Sequence, residues 1–466
     1  MLDQGSIKGN RVMSDRPGNS GPKVQSIRNL AAAQPRQTSE LSGVWSPPPL
    51  QTLDDTGLNL LVVAELVLKV LYFGGYLAGH AIADIVKLPY TGVLDGVMDF
   101  MKREKYVEVR GSGGLGEAGY QFVLSSLGVA KAREAIERSQ YAGPAPVTLT
   151  QYITAMREQN RERITVHEED MRQIMRNMVV SEDMLGRIGP AVNSGKSIFL
   201  YGPPGNGKTT IAETVGRVIL GKDMYIPYAL DVDGQVIRIF DGVNHEVVDD
   251  GAQRMKFGTG LTSDPRWIKI KRPVIMVGGE LTLQGLDLVY DSTNKYYEAP
   301  FQVKANGGMF LIDDFGRQQV RPRDLLNRWI VPLEKGVDFL TLATGRKIEL
   351  PFYVMIVFST NLEPRDLVDE AFLRRIRHKI EVGDPTYDQF REIFKRMCDV
   401  KGVKYDEQGL AYLLKEWYIK HERPLRAVHP RDILTQLLDI AIYMNKPPVL
   451  TKDLIDRAAA SYFVRL

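Results

Sequence analysis

The chain has 466 residues, 44% hydrophobic and 25% charged, an ordinary globular balance long enough for two or three domains. A single cysteine, Cys398, excludes a disulfide framework and a cysteine-based zinc site, and the six scattered histidines stand in no metal-ligand spacing. The net charge of +3 lies wholly in residues 1–50, which hold six Lys/Arg against three acids; the remainder carries 54 of each, a poor footprint for nonspecific nucleic-acid binding.

Residues 1–52 are rich in Gly, Pro, Ser, Gln and Asn, with too little apolar surface to fold alone, so a disordered tail is expected. Residues 53–142 read as one small domain. Apolar periodicity predicts helices over 58–72, 77–86 and 91–105. Two β-type runs follow, 106–110 and 120–124, joined by a glycine-rich loop, and a helix over 129–140 closes the unit. The stretch 58–79 is apolar. Its Glu65 and Lys69 form an i,i+4 pair suited to a water-facing stripe, and Gly74-Gly75 breaks the run, so no stable membrane insertion is expected. Three helices and a hairpin resemble a winged-helix domain, with 91–105 as recognition helix and 111–119 as wing. Gly111-Ser112-Gly113-Gly114-Leu115-Gly116 matches G-x-G-x-x-G, yet a strand follows it where a dinucleotide site needs a helix, and it reads as a wing tip.

Residues 143–160, opening Gly143-Pro144-Ala145-Pro146, are expected to be a linker. Residues 161–382 alternate strands and helices, the signature of a parallel α/β sheet. Residues 383–466 are mostly amphipathic helix, broken at Arg423-Pro424, His429-Pro430 and Pro447-Pro448. Cys398 follows a helical run and reads as a buried, inert thiol. With one cysteine and no apolar leader, the expected compartment is the cytoplasm.

The strongest motif is Gly202-Pro203-Pro204-Gly205-Asn206-Gly207-Lys208-Thr209-Thr210, which fits G-x-x-x-x-G-K-[ST]. A β-type run, 197–201, precedes it and an apolar-periodic helix, 209–219, follows. Glycines let backbone N–H groups turn toward an anion, and the helix N-terminus adds partial positive charge. Lys208 would meet the β- and γ-phosphates of ATP, and the Thr209 hydroxyl would ligate Mg²⁺. Gly195-Lys196-Ser197 also reads G-K-S, but it precedes the strand. A second apolar strand, 307–312, ends in Asp313-Asp314. At the C-terminal edge of a parallel sheet the two carboxylates would stand beside the phosphate loop. Asp313 would hold the Mg²⁺ shell, and Asp314 would polarise the attacking water.

In this order the motifs resemble those of AAA+ ATPases over residues 160–466. The resemblance implies a P-loop parallel sheet, 161–382, with a helical lid, 383–466. The family's second acidic residue is usually Glu, so Asp314 departs from the pattern, one methylene short. The run 353–361 resembles the sensor 1 strand, with Asn361 reaching the γ-phosphate or the water. The segment 369–376 resembles the arginine-finger segment, which implies Arg375, or its neighbour Arg374, acting on a neighbouring subunit's nucleotide. His429-Pro430-Arg431 resembles sensor 2, with Arg431 contacting bound nucleotide. The β-type runs of 337–350 flank a Thr344-Gly345 turn and resemble the pre-sensor-1 hairpin of the branch that includes MoxR-like proteins. The long interval between Lys208 and Asp313 is expected to hold a β-rich insertion near 231–297. Lys256-Phe257-Gly258 loosely resembles a pore loop, though a plain turn is the preferred reading.

A finger acting in trans implies head-to-tail neighbours, and the resemblance implies a ring of six. Three functions follow: a remodelling ATPase whose N-terminal domain docks a protein client, a DNA-directed ATPase using the winged helix, and a slow or non-hydrolysing ATP-gated switch motivated by Asp314. Residues 57–141 hold nine basic and nine acidic residues, and the recognition helix carries Asp95 and Asp99, which favours a protein client over DNA.

Overall fold

The computed structural model describes residues 45–112, 116–161, 165–219, 221–249, 263–367 and 373–463. Most of the tail, the tip of the expected wing, Lys256-Phe257-Gly258 and residues 369–372 of the arginine segment lie outside them.

The N-terminal unit begins with the helix Leu60–Gly74, capped by Asn59, whose side chain accepts from the Leu61 and Val62 amides. Strand β1, Tyr76–Ala78, follows, and takes two residues that periodicity assigns to the second helix; that helix runs Gly79–Val86. β2, Val107–Ser112, and β3, Tyr120–Leu124, complete an antiparallel sheet of order β1-β3-β2. The helix expected over 91–105 is shorter, Asp95–Arg103, because Thr91 and Gly92 are non-helical. A Cβ on Gly92 would lie 2.2 Å from the Gln51 carbonyl oxygen, so the chain must turn there, and Asp95 caps the Gly92 amide at 2.9 Å. Glu65 pairs with Arg138 at 2.6 Å, while Lys69 is buried against the Ser139 carbonyl, not on a water-facing stripe. Burial lowers the Lys69 pKa to about 8. The helix Ser126–Arg138 closes the unit.

The expected linker is ordered. Residues 147–148 form β4, Val147–Thr148, and the helix Leu149–Gln159 starts on a capping box between Thr148 and Gln151. Tyr152, Ala155 and Met156 on that helix are buried in the core of the β-rich insertion. The apolar spacing at 152, 155 and 156 outweighs the Gly-Pro start of the segment.

Strand β5, Ile198–Tyr201, runs into the phosphate loop and the helix Lys208–Ile219. The insertion then supplies β6, Asp223–Pro227; β7, Ala229–Val232; β8, Gln235–Arg238; and β9, Trp267–Lys271. The chain returns through β10, Val274–Val277, leaves again for β11, Val289–Asp291, and β12, Tyr296–Glu298, and returns through β13, Met309–Ile312. The hairpin of β14, Val337–Thr341, and β15, Lys347–Pro351, comes next, then β16, Met355–Thr360, and β17, His378–Glu381.

The central sheet has the order β10-β13-β16-β5-β17, and every neighbouring pair is parallel. Both faces are covered, so β13 and β16 are buried at every position. One face packs Leu200, Leu311 and Val357 on Ile211, Ala212 and Val215 of the phosphate-loop helix. The other packs Phe199, Phe310 and Phe358 on Phe315 and Trp329. Each of the Leu, Ile, Val and Phe side chains contributes about 1.5–3 kcal/mol by leaving water. The insertion strands join β4 in a second sheet, β11-β12-β8-β7-β4, and β6 and β9 form an antiparallel pair. The C-terminal helices, among them Tyr387–Lys401, His429–Tyr443 and Lys452–Tyr462, enclose a core of their own around Phe390, Phe394, Leu434 and Leu437. Cys398 is buried in it, and burial pushes its thiol up to about 12. Among the described residues no helix is long and apolar enough to cross a membrane.

Candidate functional site

Parallel strands deliver their C-terminal ends to one edge of the sheet, and four of the five end here in polar groups that meet. β5 ends in the phosphate loop, β13 in Asp313-Asp314, β16 in Ser359-Thr360-Asn361 and β17 in Gly383-Asp384. The loop is glycine-dependent on both sides. Gly202 has φ 130°, and a Cβ there would lie 2.5 Å from the Val382 carbonyl oxygen; Gly205 has φ 81°, and a Cβ there would lie 2.7 Å from the Val428 Cγ1. These contacts let the loop pass between β17 and the C-terminal helices.

Lys208 is buried at the start of its helix. Its Nζ donates to the Gly202 and Pro203 carbonyls at 2.9 Å each and to Asn361 Oδ1 at 2.6 Å. Burial lowers its pKa; the Asp313 and Asp314 carboxylates oppose that shift and Arg426 adds to it. Thr209 Oγ1 donates to Asp313 Oδ2 at 2.8 Å. Asn361 turns its other face to Asp314, donating from Nδ2 to Oδ1 at 3.2 Å. A continuous line of hydrogen bonds therefore runs from Lys208 through Asn361 to Asp314.

Asp314 has φ 48°, a left-handed conformation that Asp and Asn tolerate better than longer side chains. Its amide donates to Asp313 Oδ1 at 3.0 Å. Gln318 Nε2 donates to the Asp313 carbonyl at 2.9 Å, and the Phe315 amide donates to the Ser359 carbonyl at 2.7 Å, which pins the turn to β16. Asp314 thus stands at a left-handed turn held to the end of β16.

The side chains border a cleft of about 440 Å³ whose lining includes Lys208, Thr209, Asp313, Asp314, Asn361 and Arg431. Pro204, Gly205, Gly207 and Thr210 border it as well. Arg431 stands near the start of its helix, and its Nε donates to Asp432 at 2.8 Å. Arg374 and Arg375 do not border the cleft; Arg375 Nε donates to Glu334 at 2.5 Å. Residue-by-residue reading missed Asp384 and Arg426. Asp384 pairs with Arg426 and accepts from Asn206 Nδ2 at 2.7 Å. The available signal was positional: Asp384 follows the fifth strand as Asn361 and Asp313 follow theirs.

A family model described as a domain of unknown function (DUF8689) matches residues 386–461, within the C-terminal helices. No curated protein matches the chain. Among solved structures, a crystal structure of NtrX from Brucella abortus in complex with ADP is 13% identical, with a TM-score of 0.37, over 70% of this chain and 64% of that one. A second NtrX structure from the same organism is 13% identical, with a TM-score of 0.34, over 78% of this chain and 62% of that one. The chain thus spans less than two thirds of the length of either. Its own architecture is an α/β fold in which a G-x-x-x-x-G-K-T loop joins β5 to a helix at the C-terminal edge of a five-stranded parallel sheet.

Proposed function

We propose that the chain binds Mg·ATP at the phosphate loop and hydrolyses it, in the manner of AAA+ proteins. The observation that carries this reading is the convergence of Lys208, Asn361 and Asp314 in one hydrogen-bonded line beside the Thr209–Asp313 pair. Backbone N–H groups of the loop and the N-terminus of the helix Lys208–Ile219 would receive the phosphates, and Lys208 would exchange carbonyl acceptors for phosphate oxygens. Mg²⁺ takes one or two carboxylates plus phosphate oxygens, and Thr209 Oγ1 with Asp313 Oδ2 fits that need. No cluster of three or more His, Cys, Asp or Glu among the described residues offers a closed protein cage instead. Bound there, the ion would neutralise phosphate charge. Asp314 would accept the proton of the attacking water, with Asn361 orienting both, and Arg431 would contact the nucleotide from the lid.

In this reading Arg375, with Arg374 beside it, serves a neighbouring subunit's nucleotide in a head-to-tail ring, expected to be a hexamer. The Arg375–Glu334 pair would open on assembly. The N-terminal unit, 53–142, reads as winged-helix-like and would dock the protein client; it exposes Leu61, Phe73 and Leu127. In its recognition helix Lys102 is drawn to Asp99 at 2.7 Å and to Glu117 at 3.5 Å, which favours a protein client over DNA. A slow, switch-like ATPase is the second reading, favoured by the short Asp314 side chain tied to Asn361. The test is phosphate release and solution mass for the intact chain and Arg375→Ala. The ring reading expects assembly with turnover lowered roughly 10³-fold. Monomeric protein with unchanged turnover contradicts it.

A further inference from the structure

We propose that Asp384 is a positioning residue that clasps the phosphate loop to the C-terminal helical unit, so that a shift of the loop on engaging phosphate is passed to that unit. This rests on the ATP reading above. Asn206 lies inside the loop and is only 7% exposed. Its Nδ2 donates to Asp384 Oδ1 at 2.7 Å, and its Oδ1 accepts from the Ala427 amide at 3.1 Å. The same Asp384 oxygen pairs with Arg426 Nη1. One residue along, the Val428 amide donates to the Gly205 carbonyl at 2.8 Å. A Cβ on Gly205 would lie 2.7 Å from the Val428 Cγ1, so Val428 would have to shift to admit one.

Four polar contacts therefore join loop residues 205–206 to residues 426–428, directly or through Asp384. Asn206 is held at both ends of its amide, so moving it either carries a partner along or breaks a hydrogen bond. Residues 426–428 lead directly into the helix His429–Tyr443, which carries Arg431 at the cleft. Asp384 has a second effect through charge. Arg426 lies close enough to Lys208 to oppose its protonation, and the Asp384 carboxylate holds that guanidinium. Losing Asp384 would release a cation beside the phosphate site while uncoupling the loop from the lid. Binding and turnover should then separate, which a merely structural residue would not produce.

The experiment uses the intact chain with Asp384→Ala, Asn206→Ala, Arg426→Ala and the Asn206/Arg426 double variant. For Asp384→Ala we expect kcat to fall at least about tenfold. Its KM for ATP should stay within about threefold of wild type or fall. The two single losses in kcat should be less than multiplicative in the double variant, because both partners act through one carboxylate. Amide hydrogen exchange supplies a readout independent of turnover. Asp384→Ala should speed exchange about tenfold in peptides covering both 202–207 and 426–431, and Lys208→Ala should not speed it in 426–431. Wild-type kcat and exchange in Asp384→Ala would overturn the proposal, as would a loss confined to KM. A wild-type chain that binds no ADP, with exchange still faster in Asp384→Ala, would sink the ATP reading and leave the clasp standing.

Discussion

The cleft beside the phosphate loop encloses about 440 Å³, and a cleft between the N-terminal helices and the β-rich insertion encloses about 830 Å³. The larger one is walled by Phe73, Tyr141, Tyr228, Phe240 and Tyr296. Its charges are already matched: Arg238 goes to Glu298 at 2.5 Å, and Asp241 to Lys304 at 2.8 Å. The smaller cleft gathers an ammonium, two carboxylates, a carboxamide and a hydroxyl from two strand ends and a helix start. Volume separates the two in one direction and chemistry in the other. Convergent polar groups at a sheet edge, not room, mark where a phosphate can be handled.

The sharpest way to break this comparison is at the smaller cleft. Asp314→Asn should lower ATP turnover by about 10³-fold while leaving nucleotide binding in place, if the carboxylate accepts the water's proton. Steady-state phosphate release with a fluorescent ADP-binding control reads both, and unimpaired release would remove Asp314 from the chemistry.

A second test is pH. His429 sits against Tyr418, Tyr462 and Phe463 at the helix that leads to the cleft, with Nδ1 hydrogen-bonded to the Tyr418 hydroxyl at 2.9 Å. Burial depresses its pKa from 6.5 to about 4. The unfolded chain therefore takes up its proton first as pH falls. The stability this neutral ring contributes is complete above 6.5 and is lost between there and about 4. Because the ring is partly open to solvent, screening reduces the loss to about 1–2 kcal/mol. Denaturant titrations across that window should show the loss, and a flatter profile in His429→Phe; an identical slope in the variant would contradict the assignment.

Asp314→Glu is expected to change the stability of the fold by no more than about 0.5 kcal/mol, since the side chain is exposed and Glu422 adopts the same left-handed φ. Thermal melting reads this, and a strongly destabilised variant would show that the turn at 314 depends on the shorter side chain. The smallest effect belongs to the larger cleft. Arg238→Ala should leave ATP turnover within about twofold of wild type, because it lies outside the chemistry. A large loss there would erase the distinction between the two clefts.

The sequence makes the smaller cleft far more legible than the larger. Gly202 to Thr210 and the apolar run into Asp313-Asp314 are local patterns tied to chemistry, and strand-end position links them. The β14–β15 hairpin and a β-rich insertion were readable from turn residues and from the length between Lys208 and Asp313. The helix at 149–159 was masked by Gly143-Pro144-Ala145-Pro146, which reads as linker although Tyr152 and Met156 fill a core. The kink at Thr91-Gly92 depends on Gln51, forty residues earlier. Asp384 and Arg426 gain meaning only when β17 lies beside β5, a pairing no local window contains.

The central claim is best tested by phosphate release from ATP by the intact chain, with and without Mg²⁺, beside Lys208→Ala. Mg²⁺-dependent turnover in the wild type, lowered by at least about 10²-fold in Lys208→Ala, is the predicted result. A wild-type chain that neither binds nor turns over ATP, or a Lys208→Ala variant as active as wild type, would contradict it.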